Sequence, residues 1–144
     1  MSALDSLYQE LILDHSKRRV GEGALDDAHA EHHEYNPTCG DEITVRIRVD
    51  GDRLTSIAWE GSGCSISMAS ASAMTELLTG STLAEVDERI AAFREMLRSR
   101  GAVEPDEDVL GDASAFHGVS RYVMRVKCAM LAWVSLEADL AQVR

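Results

Sequence analysis

The sequence is poor in positive charge, cysteine and proline, and it contains no long apolar run. Fourteen Lys and Arg residues face 25 Asp and Glu, for a formal net charge of -11. Nucleic-acid binding needs a concentrated basic surface, so this balance argues against DNA or RNA as a partner. No apolar stretch approaches the roughly 20 residues of a membrane span. The opening Met1-Ser-Ala-Leu-Asp lacks the basic start of a secretory signal, which makes a cytoplasmic location the expectation. Three cysteines cannot all pair, and a reducing compartment disfavours disulfides, so metal binding or catalysis is their better use. What remains is an ordinary globular composition, 45% hydrophobic and 27% charged over 144 residues, suited to a single domain (1–144) with a real core.

One of the two prolines sits in the stretch on which the reading turns, Asn36-Pro37-Thr38-Cys39-Gly40-Asp41. Pro37 fixes its own φ and pushes Asn36 toward extended backbone. Gly40 supplies the freedom for Cys39 and Asp41 to converge on one point. Cys sulfur and Asp oxygen are both zinc ligands, but a lone Cys-x-Asp is a weak signal. The remaining cysteines decide its weight.

Leu4, Leu7, Tyr8, Leu11 and Ile12 recur at helical spacing, predicting an amphipathic first helix that ends near His15. Lys17, Arg18 and Arg19 follow, either complementing the helix dipole or forming a docking patch. Gly21, Gly23, Asp26 and Asp27 mark a loop. Glu31 to Tyr35 reads as a polar edge strand. Its histidines and His29 (His29, His32, His33) are better explained by that strand than as ligands, because three cysteines and Asp41 already fill a tetrahedral set.

From Ile43 to Val49 apolar and polar residues alternate, as in a half-buried strand. Asp50-Gly51 predicts a tight hairpin, and a second strand returns through Leu54, Ile57 and Trp59. In such a hairpin the start of one strand lies beside the end of the next. Gly61-Ser-Gly-Cys64 is therefore expected beside Cys39-Gly40-Asp41. A helix follows from about Ser65 to Leu78, stopped at Gly80, with Cys64 at its N-terminus, where partial positive charge favours a thiolate. Thr82-Leu-Ala-Glu85 is a capping box that opens a third helix toward Gly101. Val103 to Asp112, with Pro105, reads as an acidic loop.

A long last helix is expected from about Ser120 to Gln142, with Val123, Val126, Met130, Trp133, Val134 and Leu140 on its apolar stripe. Cys128 lies beside that stripe, either as a ligand or as a buried inert thiol. Arg125 shares its helix face and Lys127 adjoins it, both placed to offset a negative site unless they are simply solvated charges. Cys39, Asp41, Cys64 and Cys128 together offer three sulfurs and one oxygen. Three thiolates and a carboxylate on Zn²⁺ carry a formal charge of about -2. Structural zinc sites more often use Cys-x-x-Cys knuckles, so the unequal spacings suggest an exchangeable site.

These motifs, Asn36-Pro-Thr-Cys39-Gly-Asp41, Gly61-Ser-Gly-Cys64-Ser-Ile-Ser and Arg125-Val-Lys-Cys128-Ala-Met-Leu-Ala-Trp133, resemble the three cysteine motifs of the IscU/NifU-N iron–sulfur assembly family. Leu11-Ile-Leu-Asp14-His15 is similar to its N-terminal signature. Within the family the chain looks like the SufU branch. The interval from Cys64 to Cys128 is long, and Lys127 stands where IscU-type scaffolds carry His. The resemblance implies an α+β fold, with a small three-stranded antiparallel sheet of SufE/IscU type covered by helices. It also implies a zinc-bound sulfur carrier that takes sulfur onto Cys39 from the persulfide of a SufS-type cysteine desulfurase. Asp41, Cys64 and Cys128 would stay on the metal, and downstream iron–sulfur assembly proteins would receive the sulfur. The alternative is a scaffold on which an Fe–S cluster is built by the same residues. Lys17-Arg18-Arg19 stands where many members have Asn-Pro, and Val123 where many have Pro.

Overall fold

A computed structural model describes residues 3–144; Met1 and Ser2, part of the N-terminal stretch read above, lie outside them. Helix α1 (Ala3–Arg18) is followed by strands β1 (Ala30–Asn36), β2 (Asp41–Asp50) and β3 (Arg53–Ser62). Helices α2 (Ser65–Leu78) and α3 (Leu83–Arg98) come next, then a single helical turn α4 (Glu107–Leu110). A 3-10 stretch over Gly111–Arg121 leads into the long α5 (Val123–Val143). The strands form one antiparallel sheet in the order β1-β2-β3, so the fold is the α+β architecture expected.

The alternation in β2 is real: Ile43, Val45 and Ile47 are buried while Thr44, Arg46 and Arg48 are only partly covered. The poorer alternation of β3 has a cause. Arg48 pairs with Ser56 but Val49 with Leu54, so Thr55 is an extra residue and the register shifts there. Against the sheet lie α2 and α5. Their small residues permit close approach, and Ser70 of α2 donates to the Ala129 carbonyl of α5 (2.6 Å) while accepting from the Trp133 indole (2.9 Å). Trp133 stacks on Phe93 at 4.0 Å between ring centroids, and Phe116 meets Phe93 edge-on at 6.0 Å. This aromatic cluster ties α5 to α3 and to the 3-10 stretch. The capping box of α3 is formed, with both Thr82–Glu85 hydrogen bonds present.

Three expectations need correction. Leu4 and Leu7 do not belong to a buried stripe: both are exposed, and α1 is held by Tyr8 and His15. A histidine can replace leucine as the anchor because both ring nitrogens have partners, Ser72 Oγ and Asp112 Oδ2, each at 2.8 Å. Val123 and Val134 likewise lie outside the apolar stripe of α5, which buries Met130, Leu131, Trp133, Leu136 and Leu140 instead. Finally, Ser120 precedes the last helix. It lies near the end of the 3-10 stretch, whose Ala113, Ala115, Phe116 and Val119 are core residues, and the acidic loop expected over 103–112 is interrupted by α4, with Leu110 buried. Arg18 and Arg19 are also engaged within the chain, Arg18 with Asp14 and Glu76, Arg19 with Glu22 and over the Trp59 ring.

Asp139 is fully buried on α5, and among the described residues neither of its oxygens has a hydrogen-bond partner. Burial, aided by Glu31 and opposed by Arg46, pushes its carboxyl up to about 7. An acid whose pKa is raised on folding binds its proton more tightly in the folded state. Its destabilising effect is absent below its unfolded value of about 4, grows as pH rises, and levels off above about 7. Asp139→Asn should therefore raise the melting temperature by about 3 °C or more at alkaline pH, a gap that closes toward pH ~4. A constant difference across a pH series of melting curves would contradict this.

Candidate metal centre

Cys39 occupies the four-residue turn between β1 and β2, whose last and first residues, Asn36 and Asp41, are paired. The turn is built by Asn36. Its side chain accepts the Thr38 N–H at 3.0 Å, and its carbonyl accepts the Gly40 N–H at 2.8 Å. Gly40 has φ +77°, which favours glycine. Cys39 is exposed on this turn, whereas Asp41, one residue into β2, is buried.

The β2–β3 hairpin then performs as its pattern implies. Glu42 pairs with Ser62 and Ile43 with Gly61, which places Gly63 and Cys64 directly beside Asp41. The approach is close. A Cβ added to Gly63 would sit 2.5 Å from Asp41 Oδ1, so glycine is needed there for space. Cys64 is the N-cap of α2 and makes no side-chain cap. Its backbone N–H donates to Asp41 Oδ1 (3.0 Å), and its thiol lies 3.2 Å from Asp41 Oδ2. Ser67, one turn into α2, donates its hydroxyl to Asp41 Oδ2. Cys128 arrives from the first turns of α5, buried, with its Sγ 3.6 Å from Cys39 Sγ and 3.7 Å from the Met124 carbonyl.

The ligand atoms of Cys39, Asp41 and Cys128 all lie within 4.8 Å of one another and could hold a metal ion. Cys64 is not in that tight set, but it touches it through Asp41. Two sulfurs each about 2.3 Å from one tetrahedral zinc are separated by roughly 3.7 Å, close to the Cys39–Cys128 spacing. Soft thiols with one hard oxygen suit Zn²⁺, and thiolates equally suit an iron–sulfur cluster. Burial alone would raise the Asp41 pKa, but hydrogen bonds from Ser67, Cys64 and Cys39 bring it below the ordinary carboxylate value. Burial, with the neighbouring Cys39 and Cys64, pushes the Cys128 thiol up to about 12. A metal-free Cys128 is thus protonated and inert near neutral pH, and a metal must displace its proton.

Arg125 is exposed one helical turn before Cys128. It lines a cleft of about 670 Å³ with Ile66, Tyr122 and Tyr8. His29, just before the first strand, and His32 and His33 within it stay with strand neighbours: His29 Nδ1 accepts the Val49 N–H, His32 contacts Glu34 at 2.7 Å, and His33 lies 3.9 Å from Glu42. A second cluster, His15, Glu76 and Asp112, has ligand-like spacing. Its cation is the Arg18 guanidinium, 3.1 Å from Glu76 and 3.2 Å from His15. Sequence reasoning gave Ser67 no role, although it is the last residue of the motif that begins at Gly61. The signal available was its position three residues after Cys64, on the helix turn that faces Asp41.

A three-stranded sheet that delivers two thiols and a carboxylate to one end, with a third thiol from the last helix, defines an α+β protein with a thiol-rich candidate metal site. The comparisons with known proteins agree. Residues 7–129 match the NifU-like N-terminal domain, and the chain belongs to that family. It is 40% identical over 140 residues to the zinc-dependent sulfurtransferase SufU of Bacillus subtilis, covering 96% of this chain and 92% of that protein. It is 39% identical over 137 residues to the iron–sulfur cluster assembly scaffold protein IscU of Streptococcus pyogenes, covering 95% and 84%. Among solved structures, the N-terminal part of a nitrogen-fixing NifU-like protein from Brucella abortus superposes with a TM-score of 0.87 at 25% identity, covering 99% of this chain and 97% of that one.

Gly63→Ala should push the Asp41 carboxylate away from the thiols. We expect zinc affinity to fall tenfold or more, about 1.4 kcal/mol, while the circular dichroism of the folded protein is kept. Unchanged affinity in a chelator competition would show that Asp41 is not held by this contact.

Proposed function

We propose that this protein is a sulfur carrier of SufU type, serving iron–sulfur cluster assembly with Cys39 as the sulfur acceptor at a zinc site formed by Cys39, Asp41, Cys64 and Cys128. The single observation that carries the reading is the unequal exposure of the cluster. Asp41 and Cys128 are buried and Cys64 is half-covered, but Cys39 is exposed on a turn. The relative named as a zinc-dependent sulfurtransferase supports the choice of metal. Zinc, when bound, would keep the thiols deprotonated at neutral pH.

The chain's own residues account for the rest. Cys64 begins a helix, and Cys128 is embedded in one, so neither can swing without disturbing packing around it. Cys39 can move by rotation in the Asn36–Asp41 turn. Its thiolate attacks the terminal sulfur of a persulfide on a SufS-type cysteine desulfurase. The S–S bond of that persulfide breaks, the desulfurase cysteine leaves as a thiolate, and the transferred sulfur keeps its proton on Cys39 as a new persulfide. Downstream assembly proteins then receive it. Arg125, exposed one helical turn before Cys128, supports the anionic site at this step. Residues 1–144 act as one domain, a reading supported by the shared core of sheet, helices and 3-10 stretch. No helix among the described residues is long and apolar enough to cross a membrane, which is compatible with work in the cytoplasm.

The second reading, a scaffold for an Fe–S cluster, is favoured by the relatives of similar identity that are named as scaffolds. Anaerobic purification of untagged protein separates the two: a colourless protein with one zinc supports the carrier, and a brown one with iron and sulfide supports the scaffold. For the carrier, incubation with a cysteine desulfurase and isotopically labelled cysteine should place label on the Cys39 peptide. Label on the Cys64 or Cys128 peptide instead would overturn the mechanism.

Arg125→Ala should slow sulfur acceptance by at least about tenfold, 1.4 kcal/mol of barrier, with little change in melting temperature because the residue is exposed. Parallel loss of melting temperature and rate would identify Arg125 as structural.

A further inference from the structure

Ser67 is 1% exposed in the first turn of α2, and no feature of the sulfur-transfer reading uses it. Buried serines within helices usually return their hydroxyl hydrogen to a carbonyl of the preceding turn. Ser67 stands too close to the helix start for that, since the residue four back is Gly63, outside the helix. The other buried serines of α2 serve packing between elements. Ser70 bonds to Ala129 and Trp133 of α5, and Ser72 bonds to His15 and to the Val20 N–H. Ser67 alone faces the thiol cluster, with Asp41 Oδ2 within hydrogen-bond reach and Cys64 Sγ at 3.6 Å.

An ionised carboxylate can only accept, so the hydroxyl hydrogen points at Asp41. With the Cys64 N–H on Oδ1, each carboxylate oxygen accepts one bond from an N–H or O–H donor at the start of the same helix, in addition to the Cys64 thiol at 3.2 Å from Oδ2. Two bonds to two oxygens fix both the position and the plane of the carboxylate. The remaining lone pairs are left for the cluster. Removing the Ser67 hydroxyl leaves Oδ2 only thiol donors, Cys64 at 3.2 Å among them, and a thiol that gives up its proton to bind metal no longer donates, so the carboxylate can then turn about the Oδ1 bond. Cys39 is held more loosely: its thiol bonds the Asp41 carboxylate and lies 3.6 Å from Cys128 and 4.0 Å from the Asn36 carbonyl, but it sits on an exposed turn and in no helix.

We propose that Ser67 is a positioning residue that locks Asp41 as a stationary ligand, so that ligand exchange falls to Cys39 on its exposed turn. The inference rests on the metal-site reading above and deepens it. Groups that orient a metal ligand typically contribute 10–100-fold in metal affinity.

The test uses the full chain with Zn²⁺, and Co²⁺ as a spectroscopic probe. Ser67→Ala should bind zinc 10–100-fold more weakly in chelator competition. Its cobalt absorption bands should shift, and its metal-free melting temperature should stay near wild type. In an Asp41→Ala background the same substitution should cause no further loss, because the group it orients is gone. Ser67→Thr, which keeps the hydroxyl, should restore the cobalt spectrum. The proposal is overturned by wild-type affinity and spectrum in Ser67→Ala, or by an equal loss with and without Asp41. It is also overturned if Ser67→Ala fails to fold without metal, which would make the residue structural. Failure of the underlying reading looks different: wild-type protein takes up no zinc, or Asp41→Ala binds it unchanged, and the inference then falls with that reading.

Discussion

The carboxylate of Asp41 is the interaction on which the candidate centre depends. It joins the start of β2 to the start of α2, accepting from the Cys64 backbone and the Ser67 hydroxyl. A buried carboxylate without such donors would be costly and would favour its neutral form. Here the donors outweigh burial and its pKa is lowered. The helix start also supplies partial positive charge, which suits a carboxylate and a thiolate alike. One contact thereby sets the hairpin against the helix and gathers the candidate metal-binding groups.

The third thiol comes by a different route. Cys128 is placed by the packing of α5, through Trp133 on Phe93 and through Ser70 bridging α2 to the Ala129 carbonyl. The centre is therefore rigid on two sides and loose on one. Asp41 and Cys128 are embedded in packed elements, while Cys39 lies on a turn closed by Asn36 and Gly40. The asymmetry follows from local chain geometry and needs no special sequence at Cys39 itself.

Much of this was legible in the residues. The alternation of Ile43 to Val49 and the Asp50-Gly51 hairpin were enough to bring Cys64 to Asp41, because an antiparallel pair fixes its own partners. Cys128 entered the set through its chemistry and its cationic neighbours Arg125 and Lys127, since no local pattern tells which way a long helix will be rotated. That rotation is a tertiary outcome, and it left Val123 and Val134 outside the apolar stripe assigned to them. The anchoring of α1 by His15 was hidden for a related reason. A histidine becomes a core residue only when partners distant in sequence, here Ser72 and Asp112, satisfy both nitrogens. The 3-10 stretch over 111–121 carries no helical period, so Phe116 and Val119 gave no signal of burial.

The loop that follows α1 has a bearing on how copies of the molecule meet. Trp59 of the outer strand β3 exchanges backbone hydrogen bonds with Gly21 and Gly23, and its indole donates to the Val20 carbonyl. Gly21 is required for the fit, since a Cβ there would lie 2.5 Å from Thr75. An open strand edge is a template for pairing with another chain, and this one is occupied by the protein's own backbone at its midpoint. A small sheet that carries an exposed thiol on its β1–β2 turn is in this way spared edge-to-edge aggregation through β3.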